Sequence, residues 1–178
     1  MPGLPTFETP RLILQPRTMA DLADCLAMDR DPEVVRYIDG PWADPAAHRR
    51  FVEARITAAY PDRLGYWTVR TRAPEAAFLG WVLLIPLDGT GPDIEIGWRF
   101  NRASWGQGYA TEAALAVLAH GFDTLRLPEI LAVTTAANTR SRAVMSRIGM
   151  TREPAYDFDD PTVPDGPLRP NVVYRVGR

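Results

Sequence analysis

Lysine is missing from this sequence: all 20 basic residues are arginine. A Walker-type phosphate loop and Schiff-base catalysis each need a lysine, so both chemistries are excluded. Cysteine is almost missing. Cys25 stands alone and cannot close an internal disulfide, which points to a reducing compartment, the cytoplasm. Histidine is scarce as well. His48 and His120 fall in separate segments and, with one cysteine, make no credible metal-ligand cluster, so no metal is expected. Apolar runs such as Phe78 to Leu87 fall far short of the ~20 residues that span a membrane, and no membrane partner is expected. The opening Met1-Pro2-Gly3-Leu4-Pro5 lacks the charged and apolar regions of a signal peptide. An excess of positive charge is absent too: the formal net charge of −2 argues against nucleic acid as a partner.

What is present reads as a soluble globular protein, with 46% apolar and 24% charged residues. A length of 178 residues suits a single domain spanning 1–178. Arg11 to Arg17 form a short apolar strand after Thr9-Pro10. A helix is expected from about Ala20 to Met28, with Thr18 as its cap and Leu22, Cys25 and Leu26 on one face. Residues Asp31 to Pro45 read as a short helical turn and a loop carrying Tyr37 and Trp42. A second helix is expected from about Asp44 to Tyr60, capped at Asp44-Pro45, with Phe51, Ile56 and Ala59 inward. Three strands follow, Gly65 to Arg70, Phe78 to Ile85 and Ile94 to Phe100, divided by loops holding Pro74 and Gly89-Thr90-Gly91-Pro92. Short connections make them an antiparallel meander. A helix from about Tyr109 to Phe122, a strand Ile130 to Thr135 and a helix from about Thr139 to Ile148 come next, the last stopped by Gly149. An acidic, proline-rich loop, about 153–170, leads to a last strand Val172 to Val176. The order β-α-α-β-β-β-α-β-α-β implies an α/β fold, one mixed sheet with helices on both faces and a parallel, right-handed unit from Ile94 to Thr135.

The chemistry-bearing segment is Trp105-Gly-Gln-Gly-Tyr-Ala-Thr-Glu112, where two glycines precede a helix and follow a strand. Glycine lets the backbone approach a ligand and adopt positive φ. The first turn of the helix leaves N–H groups unpaired at the positive end of its dipole. Together they suit a pyrophosphate, although a Gly-x-Gly can also be no more than a tight turn. A dinucleotide fold is the poorer match, since the third glycine is missing and the preceding strands read as antiparallel. Ala110, Ala113, Ala114, Val117, Leu118 and Gly121 give the helix a small, apolar inward face.

In its context this turn resembles the acetyl-CoA loop of the GNAT acetyltransferase superfamily, Arg/Gln-x-x-Gly-x-Gly/Ala. Gly108-Tyr109-Ala110 match, and Trp105 replaces the first residue. The tryptophan is similar to the RimJ/RimL-like branch of ribosomal-protein N-terminal acetyltransferases. Glu8-Thr9-Pro10-Arg11-Leu12 resembles that branch's opening strand. Asn138-Thr-Arg-Ser141 through Gly149-Met150 resembles its second motif, with Met150 in place of phenylalanine. The resemblance covers about residues 7 to 156. It implies a GNAT-like fold whose sheet splits into a V between Ile94–Phe100 and Ile130–Thr135, with acetyl-CoA in the split as co-substrate. It also implies acetyl transfer to a primary amine, either a protein N-terminus or a small molecule.

On this reading pantetheine pairs like an added strand along Trp98-Arg99-Phe100. The pyrophosphate takes N–H groups from Gly106, Gln107, Gly108, Tyr109, Ala110 and Thr111. Asn138 contacts the pantetheine arm, caps its helix, or does both. Gly97 either makes a bulge that opens the split or leaves room for a neighbouring aromatic. A backbone N–H from Ile96 to Trp98 could stabilise the oxyanion. Ser141 matches the family serine that protonates the leaving sulfur, though it could be an ordinary helix residue. Glu95 is the candidate to draw a proton from the amine through water, or it is a surface carboxylate. Arg140, Arg142 and Arg147 either favour the nucleotide end of CoA or are solvated. Asp157 to Asp160 and Asp165 either attract a cationic acceptor or form a solvated loop. A homodimer is compatible with the sequence. Two other readings stay open: a non-catalytic acyl-CoA-binding regulatory module, and an interaction protein whose Gly-x-Gly is only a turn.

Overall fold

The computed structural model describes residues 3–72, 74–87 and 91–178. Its early helices start on local caps. Thr18 and Asp21 form a capping box that begins a 3₁₀ turn, Met19–Asp21, running into α1 (Leu22–Asp29). Asp31 accepts the Glu33 N–H at 2.9 Å to open α2 (Pro32–Val35). Asp44 accepts the Ala46 and Ala47 N–H groups at 2.9 and 3.1 Å to open α3 (Pro45–Thr57). α3 is shorter than the expected 44–60. Pro61 disfavours helical backbone at the residue before it, and the chain is already extended at Ala58. Ala59 is therefore exposed rather than inward; His48 and Val52 are the buried side of α3, with Phe51 and Ile56 half-buried.

The strands are β1 (Phe7–Glu8), β2 (Leu12–Pro16), β3 (Gly65–Thr71), β4 (Phe78–Pro86), β5 (Ile94–Phe100), β6 (Glu129–Thr135), β7 (Thr151–Arg152), β8 (Phe158–Asp159) and β9 (Pro170–Gly177). They form one mixed sheet in the order β1-β2-β3-β4-β5-β6-β9-β7, with β8 also on β9. Among the described residues only β5 and β6 are parallel, and every other pair is antiparallel. β1, β7 and β8 have two residues each, too few for an alternating pattern to show in sequence. The acidic segment is thus not wholly loop: it holds a 3₁₀ turn at Pro154–Tyr156 and β8. Its carboxylates are partly answered, Asp157 by the flanking Arg152 and the Val173 N–H, and Asp165 by Arg169 within the segment. The expected loop residues Gly89 and Thr90 lie outside the described residues.

α4 (Tyr109–Ala119) and α5 (Thr139–Arg147) flank β6 in sequence. The helix expected to reach Phe122 loses α geometry at Ala119 and continues as a π turn, His120–Thr124. There His120 bonds the Arg63 carbonyl at 3.0 Å, and Gly121 lies so close to Ile130 that a Cβ would overlap it. The main core lies between α4 and one face of the sheet. Leu12, Leu14, Trp67, Val82, Leu84, Ile96 and Ile130 meet Ala113, Ala114 and Val117, all 0–1% exposed. Each larger member contributes about 1.5–3 kcal/mol by leaving water. The other face carries α1 and α3, where Leu22, Cys25 and Val52 pack on Phe78 and Trp81.

Gly97 makes no bulge. The β4–β5 register runs unbroken through Leu83–Gly97, and the irregularity falls between Val69 and Arg70 on β3. The glycine makes room for a neighbour, Leu83 rather than an aromatic: a Cβ would stand 3.3 Å from its side chain.

Candidate active site

The split comes from how little of β5 and β6 is joined, a single parallel pairing of Glu95 with Leu131. Which backbone groups then face the split is a matter of alternation. Asn101 donates to the Leu79 carbonyl and Leu87 to the Asp93 carbonyl, both at 2.8 Å, so odd-numbered residues of β5 bond to β4. Even-numbered residues face β6, and the parallel pairing uses Ile94 and Ile96. Beyond it, the N–H groups of Trp98 and Phe100 point into the gap, while the Phe100 carbonyl accepts the Trp105 indole N–H at 2.9 Å.

This corrects one expectation. The Arg99 backbone belongs to β4 and cannot pair with a ligand in the split. Its guanidinium ion-pairs with buried Asp29 at 2.8 Å and stacks near Trp42 and Trp81, 5.3 and 5.1 Å from their ring centres. His48 approaches the other Asp29 oxygen at 3.3 Å.

Across the split stands the start of α4. Gly106 and Gly108 sit at φ 75° and 79°, a left-handed backbone that other residues adopt only with strain. α2, α3 and α5 begin on Asp31, Asp44 and Asn138, whose side chains accept helix N–H groups; α4 begins on Gly108, which has none to offer. Glu112 is the first α4 residue to bond back, to the Gly108 carbonyl at 3.0 Å, so the N–H groups of Tyr109, Ala110 and Thr111 lack helix acceptors. Trp105 anchors the turn through its bond to Phe100 and offers its ring to Arg140, 4.5 Å away.

A cleft of about 620 Å³ joins these features. Of the residues expected from sequence it gathers Trp98, Arg99, Phe100, Gly106, Gly108, Tyr109, Ala110, Thr111, Asn138 and Ser141. Two stand apart. Gln107 folds its amide onto the Ala103 carbonyl at 2.9 Å and faces a neighbouring cavity. Glu95 is half-buried at the closed end of the split, on the opposite sheet face from Ile96, within electrostatic reach of Tyr66. The Asn138 carbonyl oxygen caps Ser141 at 3.2 Å and its amide donates to Thr134 at 3.2 Å. Ser141 stands in the first turn of α5, half-buried. Arg140 and Arg147 line the cleft, whereas Arg142 turns to Tyr174 and the Ala136 carbonyl. Glu33, Tyr37 and Ile38 close the far end; among them sequence had singled out only Tyr37.

Burial pushes the Cys25 thiol up to about 11 and the Tyr66 phenol up to about 12, leaving both protonated at neutral pH. Burial also works to raise the Glu112 pKa. Hydrogen bonds from Thr9 and Arg11 outweigh it and hold that carboxyl below its ordinary value.

The family model for the acetyltransferase (GNAT) domain matches residues 11–151. The chain belongs to the GNAT acetyltransferase family. YnaD of Bacillus subtilis, described as an uncharacterized N-acetyltransferase, is 48% identical over 148 residues, 83% of each chain. The FsC-acetyl coenzyme A-N(2)-transacetylase of Aspergillus fumigatus is 30% identical across 95% of this chain and 76% of its own. A GNAT acetyltransferase structure from Bacillus anthracis superposes with a TM-score of 0.79 at 26% identity, covering 97% and 98% of the two chains. An acetyltransferase from Agrobacterium tumefaciens gives 0.73, also at 26%, over 99% and 96%.

As a GNAT member the chain is an acetyl-CoA-dependent N-acetyltransferase. The site fits the co-substrate: helix N–H groups without helix acceptors suit the pyrophosphate, and an open strand edge suits the amides of pantetheine. Among the described residues no three His, Cys, Asp or Glu are grouped to hold a metal ion, and no helix is long and apolar enough to cross a membrane.

Proposed function

We propose that this enzyme carries out direct attack of a primary amine on the thioester of acetyl-CoA, within one domain spanning residues 1–178, as a RimJ/RimL-like member of its family acting in the cytoplasm. The observation that carries the reading is the cleft, which sets the cap-free N-terminus of α4 opposite the open edge of β5 with Ser141 beside both. The pyrophosphate lies against the N–H groups of Gly106, Gly108, Tyr109, Ala110 and Thr111. Pantetheine follows the Trp98 and Phe100 backbone, with Asn138 and Arg99 side chains on its walls. Gln107 serves the turn through its backbone.

The Trp98 N–H, the first on β5 past the parallel pairing, stabilises the oxyanion as the carbonyl becomes tetrahedral. As the C–S bond breaks, Ser141 gives its hydroxyl proton to the departing thiolate and regains one from the positively charged nitrogen of the tetrahedral intermediate, which becomes the neutral amide. A free amine of pKa ~8–10 is mostly charged at neutral pH, so a base is needed. Glu95, at the closed end of the split, takes that proton through water. The acceptor enters by α2, between Tyr37, Ile38 and Glu33. The resemblance implies a protein N-terminus or a small-molecule amine as acceptor and favours the N-terminus.

The test is thiol release from acetyl-CoA with a panel of N-terminal peptides, amino acids, polyamines and aminoglycosides, with mass spectrometry of the product. Glu95→Gln and Ser141→Ala should each lower kcat by about 10²-fold or more with acetyl-CoA KM little changed. Near-wild-type turnover in both would remove their assigned roles.

A further inference from the structure

Two sequence motifs far apart in the chain meet behind the glycine turn. Glu112, in the first turn of α4, is the hub. Its Oε1 accepts the Thr9 hydroxyl at 2.6 Å and the Arg11 backbone N–H at 3.0 Å. Its Oε2 accepts the Arg11 Nε–H at 2.7 Å, with Nη2 at 2.6 Å. The guanidinium, held on two nitrogens, extends Nη1 to the Gln107 carbonyl at 2.9 Å and lies 4.6 Å from the centre of the Tyr109 ring. Nη2 would stand 3.5 Å from a Cβ on Gly108. Neither Arg11 nor Glu112 lines the cleft.

The Gln107 carbonyl shares a peptide plane with the Gly108 N–H, and in a trans peptide the two point in opposite directions. Pinning the carbonyl to Arg11 outside the cleft therefore turns the Gly108 N–H away from Arg11. It also ties up a carbonyl whose partial negative charge would repel an anion.

We propose that Arg11 and Glu112 are positioning residues that orient the Gly108 peptide so that its N–H receives the pyrophosphate of CoA. Thr9 holds Glu112, Glu112 fixes Arg11, and Arg11 turns the peptide. The proposal rests on the reading that the 105–110 turn holds the pyrophosphate.

The test compares two ligands by calorimetry on the intact protein: CoA, and pantetheine, which lacks the nucleotide and its phosphates. Arg11→Ala and Glu112→Gln should each weaken CoA about tenfold or more, the scale of one charge-assisted hydrogen bond. Arg11→Lys, which keeps the charge but not the fork, should recover only part of the loss. The double variant Arg11→Ala/Glu112→Gln should be no weaker than the worse single variant, because the two act as one unit. Pantetheine affinity should stay within about twofold of wild type throughout, which general damage to the fold would not allow. CoA affinity unchanged in both single variants, or equal loss for both ligands, would overturn the positioning role. If wild type bound CoA no better than pantetheine, the pyrophosphate reading of the turn would fall, and the positioning role with it.

Discussion

Asp29→Asn tests the buried ion pair between Asp29 and Arg99, whose side chain lines the cleft. The Asp29 side chain is 2% exposed and that of Arg99 10%, with 2.8 Å between the charged groups. The Arg99 Nε is buried with no hydrogen-bond partner among the described residues, and the guanidinium's charge is answered by Asp29 at 2.8 Å. Asparagine keeps the shape and one oxygen but removes the charge, and its amide must face either Arg99 or His48 with a donor where both now meet an oxygen. Breaking a buried pair from one side costs about 3–5 kcal/mol, because the other charge stays buried and uncompensated. A protein of this size has about 5–15 kcal/mol in all, so the loss is a large fraction of it and lowers Tm by ~6–20 °C. Urea denaturation measures it directly. Adding Arg99→Met removes the orphaned charge with a side chain of similar reach, so the double variant should recover about 2 kcal/mol or more over Asp29→Asn alone. A single-variant loss below about 1 kcal/mol, or additive losses in the double, would refute the buried-pair argument.

Three further outcomes follow from the same structure. Asn138→Ala should lose about 1 kcal/mol of stability to urea as the α5 cap disappears, and Asn138→Asp, which retains the accepting oxygen, should lose less; equal stability in all three would show the cap to be idle. Cys25, raised to about 11 by burial, should resist maleimide in the native state and label only on unfolding; prompt labelling at neutral pH would contradict its burial. Glu112 has a folded pKa below the ordinary 4.5, so its stabilisation is complete above that value and is lost as pH falls through the lower folded one. Acid titration of stability should therefore show wild type and Glu112→Gln converging below about pH 4.5, and a gap that widened toward acid would reverse the sign.

Local chemistry made much of the fold legible. Thr18, Asp44 and Gly149 marked helix ends because a cap or a left-handed residue acts within a few positions of itself. The meander strands were legible because runs of seven to nine residues rich in aromatic and β-branched or other apolar side chains stand between loops marked by Gly and Pro. The glycine turn was legible because Gly106 and Gly108 are needed for a backbone that other side chains resist. Where sequence fell short, the deciding partner was distant. The end of α4 depended on Ile130 and Arg63, β7 and β8 on an edge supplied by β9, and the position of the bulge on how β3 met β4.

The amino-acid sequence by itself therefore determined the class of protein, the left-handed glycine turn before α4 and the residue types around it. Only the tertiary structure decided that Trp98 and Phe100, not Arg99, open toward the split. A strand's side chains announce their faces in sequence, but its backbone partners depend on register with its neighbours. In the same way Arg11 and Glu112 lie 101 positions apart, each legible within its own motif. That they act on one peptide follows from docking β2 beside α4, which no local propensity encodes.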